Sequence, residues 1–120
     1  MSVAETFVQL GLLGEAVDGA QVAVLVADEH GAYVAANRYA CEMLGYTRDE
    51  LVTLRVQDVI VVDDDVDAHY ARFVNEQRER GTITLRRKDG STFPYRYAAG
   101  KTNISALTYY VSFGLPDEPS

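Results

Sequence analysis

Residues Asn37–Leu51, NRYACEMLGYTRDEL, constrain the fold of this chain more than any other stretch. They read as two short helices placed back to back, each with its own punctuation. Asn37 is an N-cap, Ala40, Cys41, Met43 and Leu44 supply an apolar face, and Gly45 is a stop. Thr47 opens the second helix, and Glu50 three residues later completes a capping box. Helices of barely two turns do not hold in water alone, so both must lean on a sheet. The stretch therefore predicts a compact α+β domain.

The flanking sequence supplies that sheet. Val3, Phe7, Leu10, Leu13 and Val17 recur at helical spacing and predict a leading amphipathic helix. Gly11 and Gly14 each cost about 1 kcal/mol relative to Ala, which predicts a break and a separate short turn over Gly14–Val17. Val22–Ala27, the turn Asp28–Gly31 and Ala32–Ala36 read as a hairpin. Val52–Val62 reads as a connection ending in a buried apolar run. Asp63, Asp64 and Asp65 sit where a helix over Val66–Arg80 would begin, suited to the positive end of its dipole, with Gly81 closing it. Thr82–Lys88, the turn signal Asp89-Gly90, Ser91–Ala99, a turn over Gly100–Ser105 and Ala106–Gly114 complete an antiparallel sheet. Leu115–Ser120 reads as a frayed tail. Alternation puts Phe93, Tyr95 and Tyr97 on one side of their strand and Tyr109, Val111 and Phe113 on one side of theirs. It leaves open which side meets the helices.

Size and charge narrow the function. The chain has 120 residues, one domain's length. Its net charge is −7, a poor match for phosphate contacts, so no nucleic-acid partner is expected. Arg86, Arg87 and Lys88 read as the solvated end of a hairpin. The single cysteine excludes an internal disulfide and a cysteine-built metal site. No signal peptide is evident and no apolar run reaches the roughly 20 residues that span a bilayer. A cytoplasmic location and no membrane association are the expectation.

Four motifs in this order resemble the PAS domain family: Asp28-x-x-Gly31; Asn37-x-x-Ala40-x-x-x-Leu44-Gly45-Tyr46; Thr47-x-x-Glu50-Leu51; and Arg87-Lys88-Asp89-Gly90-Ser91-Thr92-Phe93-Pro94. The resemblance spans roughly residues 12–114, which divides the chain into a leading helix (1–14), a PAS domain (15–114) and a tail (115–120). It implies a five-stranded antiparallel sheet of order 2-1-5-4-3 with helices on one face, enclosing a small cavity. It also implies sensing, dimerisation or signal relay rather than catalysis. Pocket candidates are Cys41, Leu44, Tyr70, Phe73 and Gln77, for an unidentified small molecule. Dimer-interface candidates are Val3, Phe7, Leu10 and Leu13, because a stripe that cannot bury itself needs a sheet or a second copy. Many members continue from the last strand into a signalling helix. Here Phe113-Gly114-Leu115-Pro116 stands in its place, which fits either a stand-alone domain or one cut from a longer sensor with an output partner elsewhere.

The resemblance also frames the cofactor question. Light-oxygen-voltage members place a thiol over flavin from a Gly-x-Asn-Cys-Arg-Phe-Leu-Gln stretch, which this chain lacks, and it has no Trp to stack near such a ring. Flavin is not expected, and Cys41 reads as a small buried hydrophobe. Oxygen-sensing members carry a haem-ligating histidine on the long helix before the third strand, where His69 lies. With Val66 at 0° and about 100° per residue, Phe73, Gln77 and Tyr70 cluster within about 40° of it, whereas His69 falls near 300°, on the flank. The expectation is no cofactor; a haem gas or redox sensor using His69 is the alternative. No enzyme is expected, since neither histidine is placed beside a nucleophile.

Overall fold

The computed structural model describes residues 2–61 and 78–117; the side chains of Phe7 and Arg78 are outside that description. Helix α1 spans Val3–Asp18 without interruption. The expected break at Gly11 and Gly14 does not occur. Both ends are capped instead: the Ser2 hydroxyl accepts from the Glu5 N–H, and the Gly19 N–H donates to Glu15. Two good caps offset much of the cost of two interior glycines.

Strand β1 (Ala23–Asp28) pairs antiparallel with β2 (Tyr33–Ala36), joined by the expected turn. There the Asp28 carboxylate accepts from the His30 and Ala32 N–H groups, and Gly31 takes a φ of 81°. Helices α2 (Arg38–Leu44) and α3 (Arg48–Leu51) follow with the caps read from the sequence. The Asn37 side chain accepts from Ala40, Gly45 ends α2 in the left-handed region, and Thr47 and Glu50 form a capping box. The connection after α3 contains one further helix, α4 (Val56–Val59), started by the Asp58 carboxylate accepting from the Arg55 N–H. Val59 is fully buried, as the apolar run predicts.

Strand β3 (Arg78–Arg86), β4 (Thr92–Ile104) and β5 (Leu107–Pro116) complete a five-stranded antiparallel sheet, order β2-β1-β5-β4-β3. Three expectations change here. Arg78–Gly81 belong to β3, not to the end of a helix; Gly81 faces Tyr97, whose ring covers it. The rest of that expected helix, with Asp63–Asp65, lies outside the described residues. Gly100–Ile104 continue β4, and the turn falls at Ser105 and Ala106, with φ of 51° and 67°. The tail is not frayed at its start: Leu115 and Pro116 pair with Arg96 and Tyr95, and Asp117 donates its N–H to Pro94. At Gly81 and Gly100 ladder pairing overrides a local glycine signal, and at Leu115–Pro116 it overrides the proline and acid signal of the tail.

The register settles the two faces. Ala23, Leu25 and Ala27 of β1, Leu85 of β3 and Phe93 and Tyr95 of β4 point inward with Ala40, Met43, Leu44, Leu51 and Val59 of the helices, forming the core. By alternation from the same pairs, Leu107, Tyr109, Val111, Phe113 and Leu115 of β5 point the other way.

Candidate functional site

Three polar arrangements organise the inner side of the sheet. The first is Asn37, buried at 4% exposure. Its carboxamide oxygen accepts from Val24 and Ala40, and its nitrogen donates to the carbonyls of Val17 and Val22. One side chain thus caps α2, fixes the start of β1 and holds the end of α1. The sequence shows its capping role; the other three bonds depend on chain segments 13 to 20 residues away.

The second is the tip of the β3–β4 hairpin, which docks on the α2–α3 corner. Lys88 donates its N–H to the Leu44 carbonyl, and Arg87 donates to Met43 while its guanidinium lies 4.1 Å from the centre of the Phe93 ring. Lys88 also pairs with Glu50. Glu50 therefore serves two partners, Lys88 and the Thr47 N–H, and its carboxyl is held below the usual range by both. The expectation of a merely solvated tip is corrected: only Arg86 fits it.

The third is an aromatic row on β4. Phe93 and Tyr95 meet edge to face at 6.5 Å, and the Tyr95 and Tyr97 rings lie parallel at 6.3 Å. Tyr95 is 2% exposed and its ring lies on the backbone of Gly114 in β5, where a Cβ would fall inside the phenol and within 2.6 Å of the Arg96 carbonyl. Its hydroxyl lies near Ser112 and is the one buried side-chain polar atom without a hydrogen-bond partner among the described residues. Burial pushes the hydroxyls of both Tyr95 and the neighbouring Tyr33 well above the ordinary tyrosine range. Both are neutral hydrogen-bonding groups at any physiological pH. A buried, unpaired hydroxyl costs about 1–3 kcal/mol, which a hydrogen-bonding partner would recover.

The pocket candidates divide. Leu44 is fully buried in the core under the sheet. Cys41 is half-buried on α2, near Arg48, Asp18 and Glu42, and burial raises its thiol pKa. Such a thiol is a poor nucleophile. Tyr70, Phe73, Gln77 and His69 lie outside the described residues. Of the interface candidates, Val3, Leu10 and Leu13 are 72%, 58% and 61% exposed, and the side chain of Phe7 is not described. Among the described residues no group of histidine, cysteine and carboxylate side chains is placed to hold a metal, and no helix is long and apolar enough to cross a membrane. Tyr95 as a site residue escaped the sequence reading. The signal was available in Gly114, a glycine interrupting an apolar strand pattern.

Comparison with solved structures places this architecture. A PAS domain from a two-component sensor histidine kinase superposes with a TM-score of 0.83 at 15% identity, covering 93% of this chain and 99% of that one. The PAS domain of an HTR-like protein from Haloarcula marismortui gives 0.80 at 18% identity, with 94% and 95% covered. An RNA-binding light-oxygen-voltage receptor gives 0.81 at 22% identity, covering 93% of this chain and 34% of that one. No curated protein sequence matches the chain. At these identities the superpositions speak for the fold. The family model for the PAS domain matches residues 21–106, from the start of the first hairpin to the tip of the last, and the chain therefore belongs to the PAS domain family.

Proposed function

We propose that this chain is a sensory and protein-interaction module of signal transduction, homodimeric through α1, that binds a small polar molecule against the inner face of the sheet. The observation that carries the reading is the Tyr95 hydroxyl: buried, neutral and without a hydrogen-bond partner among the described residues. The cost of leaving it unpaired is recovered when a ligand group donates to it or accepts from it. Tyr33 and Ser112 offer further neutral hydroxyls nearby. Tyr33 and Ser112 are uncharged and the Asp58 carboxylate acts on Tyr33, which favours a ligand without negative charge on this side. Similarity to domains of sensor kinases and light-oxygen-voltage receptors supports a sensing role.

The test is a thermal-shift screen of small polar metabolites on the wild-type chain and Tyr95→Phe, with an absorbance spectrum of the purified protein. A hit should raise the melting temperature of the wild type and not of the variant. Ligand-free Tyr95→Phe should be as stable as the wild type or up to about 1 kcal/mol more so, because the orphaned hydroxyl is gone. Equal responses in both proteins would remove Tyr95 from the site. A Soret band would redirect the reading to haem and His69. Light scattering on a chain lacking residues 1–14 tests the other half: a dimer that persists would show that α1 does not hold it.

A further inference from the structure

A groove of about 200 Å³ lies between the end of α1 and the outward side of the first hairpin. Val24 and Val26 of β1 and Ala35 of β2 form its apolar floor. Their register puts them on the outward face, since Val24 and Val26 pair with Phe113 and Val111, and Ala35 pairs with Val26. Gly14 and Val17 line it from the helix, and Asp18 and Arg48 border it. Tyr95 points to the other side of the sheet, into the core. The groove is therefore separate from the site proposed above.

Gly14 leaves the helix side of this groove bare. No described neighbour requires a glycine there: a Cβ built on it meets nothing within 4 Å, and its φ is not in the left-handed region. Glycine inside a helix is disfavoured against alanine, so α1 gives up stability at a position that lines open space. A larger side chain at position 14 has that space to enter. Across from it, Ala35 and the two valines keep the floor low and apolar.

The border of the groove carries an excess positive charge. Asp18 pairs with both Arg38 and Arg48, so two guanidinium groups share one carboxylate. Arg48 is held from two sides: its Nε donates to the Ala36 carbonyl at 3.0 Å and its Nη2 to Asp18. Its Nη1 takes no partner among the described residues. A planar guanidinium with a donor to spare matches a carboxylate better than a rounded anion does.

We infer that this groove binds a short-chain monocarboxylate, with its apolar body along Gly14, Val17 and Val26 and its carboxylate on the Arg48 guanidinium. One excess positive charge is matched by one negative charge, and the apolar lining by an apolar tail. At about 30 Å³ per water-sized group the groove holds roughly seven of them, the tail of an eight-carbon acid. The charge preference is the reverse of that at Tyr95. A ligand here touches α1 and the first hairpin together. Its occupancy therefore adds an apolar contact to the polar ones, Asn37 to Val17 and Asp18 to Arg38 and Arg48, that hold the end of the helix.

The test titrates the full-length chain with octanoate, below micelle formation, and follows its backbone amide signals by NMR. Shifts are expected at Gly14, Val17, Val24, Val26 and Ala35, with roughly millimolar affinity for so small a ligand. Octanol, equally long but uncharged, should bind at least fivefold more weakly. Arg48→Gln should bring octanoate down to the level of octanol. Asp18→Asn should tighten octanoate several-fold, because Arg38 and Arg48 then lose the anion they share. Gly14→Leu should abolish binding of both while helix content by circular dichroism holds or rises, which separates a filled groove from a lost fold. Equal affinities for octanoate and octanol overturn the inference, as does an Arg48→Gln chain that binds octanoate like the wild type. So does an absence of shifts. Shifts confined to Tyr33, Tyr95 and Ser112 overturn it too, by placing the acid on the inner face of the sheet.

Discussion

The Asn37 carboxamide donates to the Val17 carbonyl at 2.8 Å, so the residue that starts the second helix also holds the end of the first. Asn37→Asp keeps the two acceptor bonds to Val24 and Ala40 and loses the two donor bonds to Val17 and Val22. Urea unfolding should show a loss of about 2 kcal/mol, since two carbonyls lose partners and face a carboxylate. Hydrogen exchange should quicken over residues 15–22 before it does in β4 or β5. Uniform quickening would mean that Asn37 serves the whole core and not the α1 junction.

Gly114 and Tyr95 should behave as one unit. A methyl at Gly114 falls inside the Tyr95 ring, so Gly114→Ala should cost about 2–3 kcal/mol. In a Tyr95→Leu background the added cost should shrink, giving a coupling of more than 1 kcal/mol in a double-mutant cycle. The rescue should be partial, because the Arg96 carbonyl is backbone and stays. Additive costs would show that the collision with Tyr95 is not what excludes a side chain there.

Acid should loosen the α2–α3 corner. Glu50 has its pKa lowered below 4.5, first by Lys88 and then by Thr47. A depressed folded-state pKa contributes stability that is present above the unfolded value and lost as pH falls through the folded one. Stability should therefore decline below about pH 4.5, and Glu50→Gln should flatten that decline in urea midpoints taken between pH 6 and 2.5. Asp28 and Asp89, also lowered by backbone and side-chain hydrogen bonds within their turns, should leave a residual slope in the variant. An unchanged slope would place the acid sensitivity entirely in those turns.

Cys41 should be sluggish. Burial raises its pKa and the side chain is half covered, so at neutral pH a disulfide reagent should react with it more slowly than with free glutathione. A faster reaction would contradict its reading as packing.

The β4–β5 turn is a place to gain stability. Ser105 and Ala106 both sit at positive φ, a conformation that costs roughly 1–2 kcal/mol for a residue with a side chain. Replacing the pair with Asn-Gly should raise the unfolding free energy by about 1 kcal/mol. No gain would mean that the tip relaxes at little cost.

Much of the fold was legible along the chain, and the legible parts share a cause. The caps at Asn37, Gly45, Thr47 and Glu50, and the turns at Asp28–Gly31 and Asp89-Gly90, are decided within four residues, so a local reading finds them. Errors fell where a distant partner outvoted a local signal. Gly81 and Gly100 look like stops, yet one is covered by Tyr97 across the ladder and the other pairs with Val111. Helix α4 has too few residues for periodicity to register.

The candidate site was less legible, for the same reason. Two alternating aromatic rows, Phe93–Tyr97 and Tyr109–Phe113, are equivalent on paper; only the register of β4 against β5 sends the first inward and the second outward. Sequence alone determined the family, the caps and the acidic apolar character of α1. Tertiary structure decided which tyrosine is buried without a partner among the described residues and which strand turns its apolar side away from the core. Burial and hydrogen-bond satisfaction depend on neighbours tens of residues away, and no pattern within a single segment encodes them.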